Sequence, residues 1–550
     1  RDCLLSRGLG DVYKRQSYNR TQFVKDVTAG IIVAIIALPL SIALALASGV
    51  GPEAGIFTAI VAGFVISALG GSSVQIAGPT AAFATIVAGI VAKDGLDGLV
   101  ISTILAGIFL ILMGLCHFGS LIKFIPYTIT TGFTSGIAVT IVIGQLKDFF
   151  GVTYPDGVKP IETTEKFKAF IENISTMNTA ALIVGIVSLA ILIISPVIFK
   201  KIPGSLIAVI VGILMVKFLP LKVSTIGNLY TISNSLPAFH LPAVNLHIIE
   251  NALPNAFTIA VLAAIESLLS CVVADGMING KHRSDMELVA QGAGNIASAL
   301  FGGIPATGAI ARTAANIKNG GRTPVAGMVH SITLVIVLVV LMPFAGMIPM
   351  PTIAAILFIV AYNMCQWRTF VHLIRTAPKS DIIVLFATFI LTILFDLVVA
   401  IEIGMVLACL LFIKRMSEET HVDGWTYVDD DTPDVDAHLK KLPLQIRVYE
   451  ITGPLFFGAA DAIEHIVVKD FTTCLVLRMR SVPAIDSTAM NALFNLTKVC
   501  ENKGITLVFS HVNEQPMKVM EKAGFVELVG RENFCPNISA ALAHAEEISI

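Results

Sequence analysis

The sequence predicts a polytopic α-helical membrane protein built from two inverted halves, followed by a small soluble α/β domain. Hydrophobic residues make up 55% of the 550 residues and charged residues 14%, and the mean hydropathy is +0.82. These values exclude an ordinary soluble enzyme. Apolar segments close to the length that crosses a bilayer follow one another from Asp26 to Arg415. After Leu444, short β-like and helical patterns alternate, which is typical of an α/β domain.

The N-terminal stretch does not belong to this pattern. Residues 1–16 lack an apolar core long enough for a signal peptide. We therefore expect residues 1–25 to form a disordered tail.

The apolar segments form two series of seven. The first inverted repeat, 26–220, contains the predicted spans 27–48, 53–70, 79–92, 98–117, 127–147, 179–199 and 204–219. After an extracytoplasmic connection at 221–252, the second repeat, 253–415, contains 254–274, 285–301, 309–317, 325–343, 351–364, 380–397 and 399–413. Because seven is odd, the second repeat must lie inverted relative to the first. If both termini are cytoplasmic, the outer connections contain lysines but no arginine, as the positive-inside rule predicts.

Two segments cannot be ordinary spans because Gly and Pro interrupt them. They are Val74–Val87, VQIAGPTAAFATIV, and Gly302–Ile317, GGIPATGAIARTAANI, with Pro79 and Pro305 226 residues apart. Paired interrupted segments in the two halves of a transporter indicate its binding site. A short helix starting after Gly308 would point its free N–H groups into a cavity, with Arg312 in its first turn, and would suit an anion. The alternative is a pair of re-entrant loops with structural glycines.

Glu266 is the acid in the middle of the first predicted span of the second repeat, IAVLAAIESLLSCVVAD. A carboxylate at that depth must be paired, hydrated or protonated, which makes it a functional hypothesis. Ser270, four residues on, shares its face, and an offset of 226 places Leu40 at the matching point of the first half. The alternative is a structural Glu266–Arg312 pair. His330 is interpreted as an interfacial polar residue near the end of a span.

The remaining chain contains a linker and the soluble domain. Residues 416–441 are polar and acidic, which indicates a linker. The domain at 442–550 has strand patterns at LQIRVYEI, TCLVLRM and ITLVFSHV and helical patterns beginning near Ala459, Ser487 and Glu514. Asp486 suits a helix N-cap, and Ser487 could accept a phosphate. The scattered cysteines indicate no metal site, and no cofactor is expected. The lack of a Walker A motif makes ATP an unexpected energy source. The net charge of −2 does not indicate nucleic acid.

With these residues in view, the chain resembles the SulP family, the sulfate permease and solute carrier 26 group of anion transporters. The resemblance rests on residues 38–73 and 76–84, the Glu266 helix, residues 308–324, and a terminal domain similar to STAS domains with its IDST at 485–488. It implies a 7+7 inverted repeat with core and gate domains, an anion site between the third and tenth helices, and a homodimer.

The resemblance also implies which residues form the site. The substrate-binding residues would be Leu40, Ser41, Leu44, Thr80, Ala81, Ala309, Ile310, Ala311 and Arg312; the coupling residues would be Glu266 and Ser270; and the regulatory residues would be Asp486 and Ser487. Sodium-coupled bicarbonate members are similar, but they have Asp at the position of Glu266 and a hydroxyl residue at that of Ile310. Two oxygen ligands for sodium are therefore altered, which favours a proton.

We therefore expect a secondary active transporter of sulfate, bicarbonate or a C4-dicarboxylate in the inner (plasma) membrane, coupled to protons and working by an elevator-like movement. Sodium-coupled bicarbonate symport and anion exchange are alternatives. A nucleobase carrier of the same fold is more distant, since such carriers resemble one another in a second carboxylate on the tenth helix, where this chain has Ala and Arg. A non-transporting sensor that signals through the STAS domain is a further alternative.

Overall fold

The chain divides into two compact units, Arg1–Met405 and Val406–Ile550. The computed structural model describes residues 19–120, 126–155, 160, 162–198, 203–218, 222–230, 235–242, 246–395, 397–424, 443, 445–458, 463, 466 and 471–549.

The first unit is helical apart from two very short strands. Its helices are α1 (Arg20–Ala47), α2 (Pro52–Leu69), α3 (Ala81–Leu115), α4 (Tyr127–Phe150), α5 (Thr163–Glu172), α6 (Thr179–Ile198), α7 (Gly204–Phe218), α8 (Ile226–Leu229), α9 (Leu246–Ile278), α10 (Ser284–Leu300), α11 (Ile310–Lys318), α12 (Pro324–Ala345), α13 (Met350–Cys365), α14 (Trp367–Thr376), α15 (Lys379–Leu394) and α16 (Leu397–Glu418). The strands are β1 (Ala77–Gly78) and β2 (Thr307–Gly308). Helix α16 continues into the second unit.

Every predicted span overlaps one of these helices. Two of the spans, 79–92 and 98–117, fall on α3, which is broken at Gly95 with φ +73° and ψ −171°. A side chain is strained at that φ, so glycine permits the break. In the described residues, eight helical stretches are long and apolar enough to cross a membrane. The count of fourteen crossings stays a prediction.

Two helices begin before the predicted starts of the two repeats. Helix α1 begins at Arg20, inside the predicted tail 1–25, because the Asn19 side chain accepts a hydrogen bond from Gln22 N at 2.8 Å. The buried Asp26 then accepts hydrogen bonds from Arg322 N (2.8 Å) and Thr323 Oγ1 (2.7 Å) just before α12. Helix α9 begins at Leu246, inside the predicted connection 221–252. Residues 1–16 lie outside the described residues.

Helix packing in the first unit is reciprocal between its halves. Helix α2 packs on α12 while α10 packs on α3, and α6 packs on α13 while α15 packs on α4. Helices α4 and α13 also pack on each other. Two inverted repeats produce such matched pairs, because a contact between a helix of one repeat and a helix of the other recurs between the two equivalent helices.

The second unit contains a five-stranded sheet in the order β3-β4-β5-β6-β7. Its strands and helices are β3 (His421–Gly424), β4 (Ile446–Thr452), β5 (Cys474–Ser481), α17 (Ser487–Asn502), β6 (Thr506–Ser510), α18 (Glu514–Lys522), α19 (Phe525–Val529), β7 (Phe534–Cys535) and α20 (Ile538–Ser549). Strand β3 is antiparallel to β4, and the other pairs are parallel. One apolar core includes residues of α17 and the other residues of α20.

The linker prediction of 416–441 needs correction. Helix α16 extends to Glu418, and β3 occupies the next part of the predicted linker. This polar strand, HVDG, is held by backbone pairing to the edge of β4, which a search for apolar alternation does not detect. The rest of the predicted linker and the helix predicted near Ala459 lie largely outside the described residues.

Candidate functional site

The two interrupted segments meet as an antiparallel strand pair inside the helical unit. Ala77 lies opposite Gly308 and Gly78 opposite Thr307, and Ala309 N donates to Ile76 O at 2.9 Å. Directly after the strands, α3 begins at Ala81 and α11 at Ile310. No side chain caps either helix, so first-turn N–H groups and the positive helix ends remain open to an anion.

The offset between the halves is 229 residues at the helix starts, rather than the predicted 226. The earlier value took Pro79 and Pro305 as equivalent, but Pro79 lies two residues before α3 and Pro305 five before α11. The corrected offset matches Glu266 with Ala37 instead of Leu40. Pro79 directly follows β1, whereas Pro305 lies before β2, so the two prolines are not equivalent positions.

Glu266 lies on α9 beside the start of α3. Thr80 Oγ1 donates to Glu266 Oε2 at 2.8 Å, and the carboxyl group is half-buried. Glu266 forms no ion pair with Arg312 in the described structure, which contradicts the alternative of a structural Glu266–Arg312 pair. The carboxyl group is therefore held by a neutral hydroxyl at the N-terminus of a half-helix.

Arg312 lies behind the strand pair rather than on its open side. Its side chain is 1% exposed, and Nη2 donates to Ser41 Oγ at 3.3 Å and Pro79 O at 3.2 Å. Its Nη1 lies where a Cβ on residue 78 would be. Glycine at this position therefore leaves room for the guanidinium. Nε and Nη1 are buried without a hydrogen-bond partner, so the charge can act on a nearby anion without being compensated by a carboxylate.

The other predicted site residues divide between buried and open positions. Ser41, Leu44 and Ala81 are buried, Leu40, Thr80 and Ala309 are half-buried, and Ile310 and Ala311 are exposed. Ser270 is also buried. Its Oγ donates to Thr313 Oγ1 at 3.4 Å, and Thr313 Oγ1 accepts from Ile76 N at 3.1 Å. Ser270 therefore supports the strand from behind.

Glu287 is a buried residue that sequence reasoning missed. Its carboxylate accepts hydrogen bonds from Gly71 N (2.9 Å), Ser72 N (3.2 Å), Gln75 Nε2 (2.8 Å) and Gln291 Nε2 (2.8 Å). Glu287 thus fixes the loop that leads into β1. In the sequence it resembles any acid in the first turn of a helix, and no local signal distinguishes it.

Asn295 and Thr58 hold the segment before β2 in the same way. Asn295 Oδ1 accepts from Ala306 N at 2.8 Å, and its Nδ2 donates to Ala306 O at 2.9 Å. Thr58 Oγ1 accepts from Ile304 N at 2.7 Å. These side chains satisfy the non-helical backbone that the membrane interior otherwise excludes.

The interpretation of His330 as interfacial was wrong. It is fully buried within α12, and neither ring nitrogen has a hydrogen-bond partner. The side chain faces α2, where a Cβ on Gly63 would lie 4.0 Å from His330 Cδ2. Its depth follows from the packing of α12 on α2, which its sequence position does not reveal.

A cavity of about 550 Å³ with a mixed polar and apolar lining lies between α3 and α9 on one side and α4, the start of α5 and α15 on the other. Thr85 and Asp94 mark its extent along α3, and Asn255 and Thr258 line it on α9. Asn255 Nδ2 donates to Asp94 Oδ2 at 3.4 Å. Thr85 follows Thr80 by five residues, so the cavity begins beyond the first turn of α3, and its described lining does not include Glu266.

In the second unit, Asp486 is the N-cap of α17. Its Oδ1 accepts from Thr488 N (3.0 Å) and Ala489 N (2.9 Å), and its Oδ2 from Phe457 N (2.9 Å). Ser487 is exposed beside it. The capping interpretation of Asp486 therefore accounts for its hydrogen bonds.

The match to known families is decisive for the whole chain. Residues 23–388, well over half of the sequence, match the model of the sulfate permease family. The chain belongs to the sulfate permease family. Residues 440–541 match the STAS domain model. The predicted family and fold class, a helical membrane transporter with a C-terminal STAS domain, are confirmed, as is the prediction of a transporter rather than an enzyme.

Relatives and a solved structure agree with this assignment. The putative sulfate transporter YvdB of Bacillus subtilis is 39% identical over 94% of this chain and 97% of its own length. The bicarbonate transporter BicA of Picosynechococcus is 31% identical over 94% of both chains. The inward-facing structure of the murine solute carrier Slc26a9 matches with a TM-score of 0.88 at 19% identity, covering 100% of this chain and 95% of that chain. This sulfate permease family member thus belongs among multi-pass anion transporters.

Proposed function

We propose that this sulfate permease family member is a secondary active transporter of a small anion, with sulfate as the first candidate and bicarbonate and C4-dicarboxylates as the others. The anion would bind between the first turns of α3 and α11, at Thr80, Ala81 and Ala309–Ala311. The uncapped helix ends and the buried charge of Arg312 support this location. Leu40, Ser41 and Leu44 would form the wall on α1. The names of YvdB and BicA support the choice of anions.

Coupling to a proton at Glu266 rests on one observation, the hydrogen bond from Thr80 Oγ1 to Glu266 Oε2 at 2.8 Å. Thr80 is the N-cap of α3, so the carboxyl group touches the same helix end that would hold the anion. A carboxylate without a cationic partner favours protonation in the membrane interior. Protonation would remove the repulsion between Glu266 and an incoming anion, and the two would therefore bind together.

The side chains proposed for the site favour a proton over a sodium ion as the coupled cation. A sodium ion needs several oxygen ligands, but Ile310 offers a hydrocarbon side chain. Ser270 directs its hydroxyl to Thr313 and would contribute to coupling indirectly, through the strand behind the site. Sodium-coupled bicarbonate symport and anion exchange remain the competing functions.

An elevator movement would carry the site past the gate helices. The cavity between α3 and α9 on one side and α4 and α15 on the other supports such a sliding boundary. In this proposal both termini are cytoplasmic, the protein lies in the inner (plasma) membrane, and it works as a homodimer.

The test is uptake of labelled sulfate, bicarbonate or fumarate into proteoliposomes, under an inward proton gradient, an inward sodium gradient or neither. We expect one anion to accumulate with the proton gradient. Glu266→Gln should abolish that response while anion binding persists. Glu402, on α16, provides the control, because Glu402→Gln should retain the response. Accumulation driven by sodium alone, or an unchanged proton response in Glu266→Gln, would contradict the proposed coupling.

The STAS domain would regulate transport and support the dimer, with Asp486 and Ser487 at its regulatory helix end. Deleting residues 440–550 should change the uptake rate per folded molecule, measured in the same vesicles. An unchanged rate would argue against regulation.

A further inference from the structure

Helix α14 carries its polar and apolar residues on opposite faces. At 100° per residue, its apolar residues fall on one arc of the helix and its polar residues on the other. The apolar residues are Trp367, Phe370, Val371, Leu373 and Ile374, and the polar residues are Arg368, Thr369, His372, Arg375 and Thr376. An amphipathic helix of this type lies in the plane of a membrane surface.

Part of the apolar face packs on the protein. The Phe370 ring contacts Phe386 and Phe389 of α15, with ring centroids 5.8 Å and 5.3 Å apart. Trp367 remains 46% exposed and Tyr362 58%. The apolar face is therefore wider than the protein surface that it covers.

Two aromatic side chains form a small unit at the start of the helix. Trp367 Nε1 donates to Tyr362 Oη at 3.2 Å, and the Arg368 guanidinium lies 5.6 Å from the Trp367 ring centre. Trp and Tyr with exposed polar groups are enriched where hydrocarbon meets head groups. An arginine beside aromatic residues at that boundary can pair with lipid phosphates.

The cations of this surface are not neutralised by the protein. Arg368, Arg375 and Lys379 are exposed, and no carboxylate lies within ion-pair distance of them in the described structure. The nearest acid in sequence, Asp381, accepts a hydrogen bond from Ser380 Oγ at 3.2 Å. Helix α14 and the first residue of α15 therefore present an excess of positive charge.

We propose that α14 is a binding surface for the head groups of anionic phospholipids, with Arg368, Arg375 and Lys379 contacting phosphates and Trp367 at the boundary with the acyl chains. Charge complementarity and the aromatic pair point to lipid as the occupant. Helix α13 belongs to a stretch that is long and apolar enough to cross a membrane, and α15 coincides with the predicted span 380–397, so a bilayer surface would be available to α14. This surface is independent of the transported anion.

The sequence provides a direct probe, because it contains two tryptophans, Trp367 and Trp425. In a Trp425→Phe background, the fluorescence of the full-length protein reports on Trp367 alone. The protein is reconstituted in equimolar phosphatidylglycerol and phosphatidylcholine, with brominated chains on one lipid or the other. Bromine quenches a tryptophan that it contacts.

We expect stronger quenching by brominated phosphatidylglycerol, corresponding to at least about fivefold enrichment for each engaged cation. Arg368→Gln/Arg375→Gln should abolish the preference, and Arg368→Lys/Arg375→Lys should keep it. Equal quenching by both lipids would overturn the proposal, as would a preference that survives the glutamine variant. Protection of Trp367 from both lipids would also overturn it and would indicate a protein partner, such as a second copy of the chain.

Discussion

Replacing Thr80 by valine removes the hydroxyl that donates to Glu266 Oε2 while keeping a β-branched side chain. The perturbation is local, because Thr80 is the N-cap of α3 and its side chain caps no backbone group. If Glu266 takes up the coupled proton, the variant should alter the pH dependence of uptake more than the affinity for the anion.

The sign follows from the direction of the hydrogen bond. A donated hydrogen bond stabilises the ionised carboxylate more than the protonated acid. Hydrogen bonds to charged groups contribute about 1.5–3 kcal/mol, and about 1.4 kcal/mol corresponds to one pH unit. Because Glu266 is only half-buried, we take the lower end. The pH at which uptake falls to half its maximum should therefore rise by about one unit in Thr80→Val.

The assay is initial uptake into proteoliposomes over a range of external pH at a fixed internal pH. Thr80→Ser is the matched control, because it restores the hydroxyl and should return the profile to that of the unmodified protein. A profile that stays in place in Thr80→Val, or that moves to lower pH, would refute the assignment of the coupled proton to Glu266.

Three further predictions concern other parts of the chain. Gly78→Ala should lower the detergent melting temperature and reduce uptake at least about tenfold, because the added Cβ would overlap Arg312 Nη1 and overpacking costs about 1–3 kcal/mol. Glu287→Ala should reduce the yield of folded protein in size-exclusion chromatography, because four donors lose their acceptor and three of these hydrogen bonds are buried, each at a cost of about 1–3 kcal/mol. Maleimide should label Cys474 and Cys500 slowly at pH 8, as followed by mass spectrometry, because burial raises the pKa of these thiols to about 12 and about 11 and leaves little thiolate.

Each of these predictions has an internal control. Gly89→Ala adds a Cβ with nothing within 4 Å and should be tolerated; equal damage in both glycine variants would contradict the role of Arg312. Glu287→Gln retains one acceptor and should fold better than the alanine variant. The exposed Cys116, at the end of the predicted span 98–117, should react first, and labelling of all three thiols at the same rate would contradict the protection of the STAS core.

The family, the helical segments and the interruption before the short helix of the site could be predicted, because each depends on a local pattern, whereas the strand pair was not predicted. The start of α11 at Ile310 follows from the glycines and proline before it, and the spans follow from hydrophobicity. The positions of Arg312 and Ser270 could not be predicted. Both lie on the expected helices, yet packing against Ser41 and Thr313 turns their side chains behind the strand pair.

Glu287 and His330 also could not be predicted, because their contacts come from segments distant in the sequence. Glu287 contacts a loop more than two hundred residues earlier, and His330 is buried by a helix from the other half. A single sequence carries no signal for such pairings, because neither residue departs from the pattern of its own segment. The 226-residue offset was wrong for a related reason, since proline marked the irregular backbone but not the point where each helix begins.

The pairing of β1 with β2 has a consequence for the order of biosynthesis. Ala77 and Gly308 pair across 231 residues of sequence, so the first strand enters the membrane well before its partner has been made. At about 5–20 residues per second, that interval is roughly 10–50 s. During it the backbone of Ala77 and Gly78 has no strand to bond, and water, the insertion machinery or other segments must satisfy it. The first repeat made alone would contain its half-helix but not the opposing end, and the proposed binding site would therefore form only after the second repeat has been made.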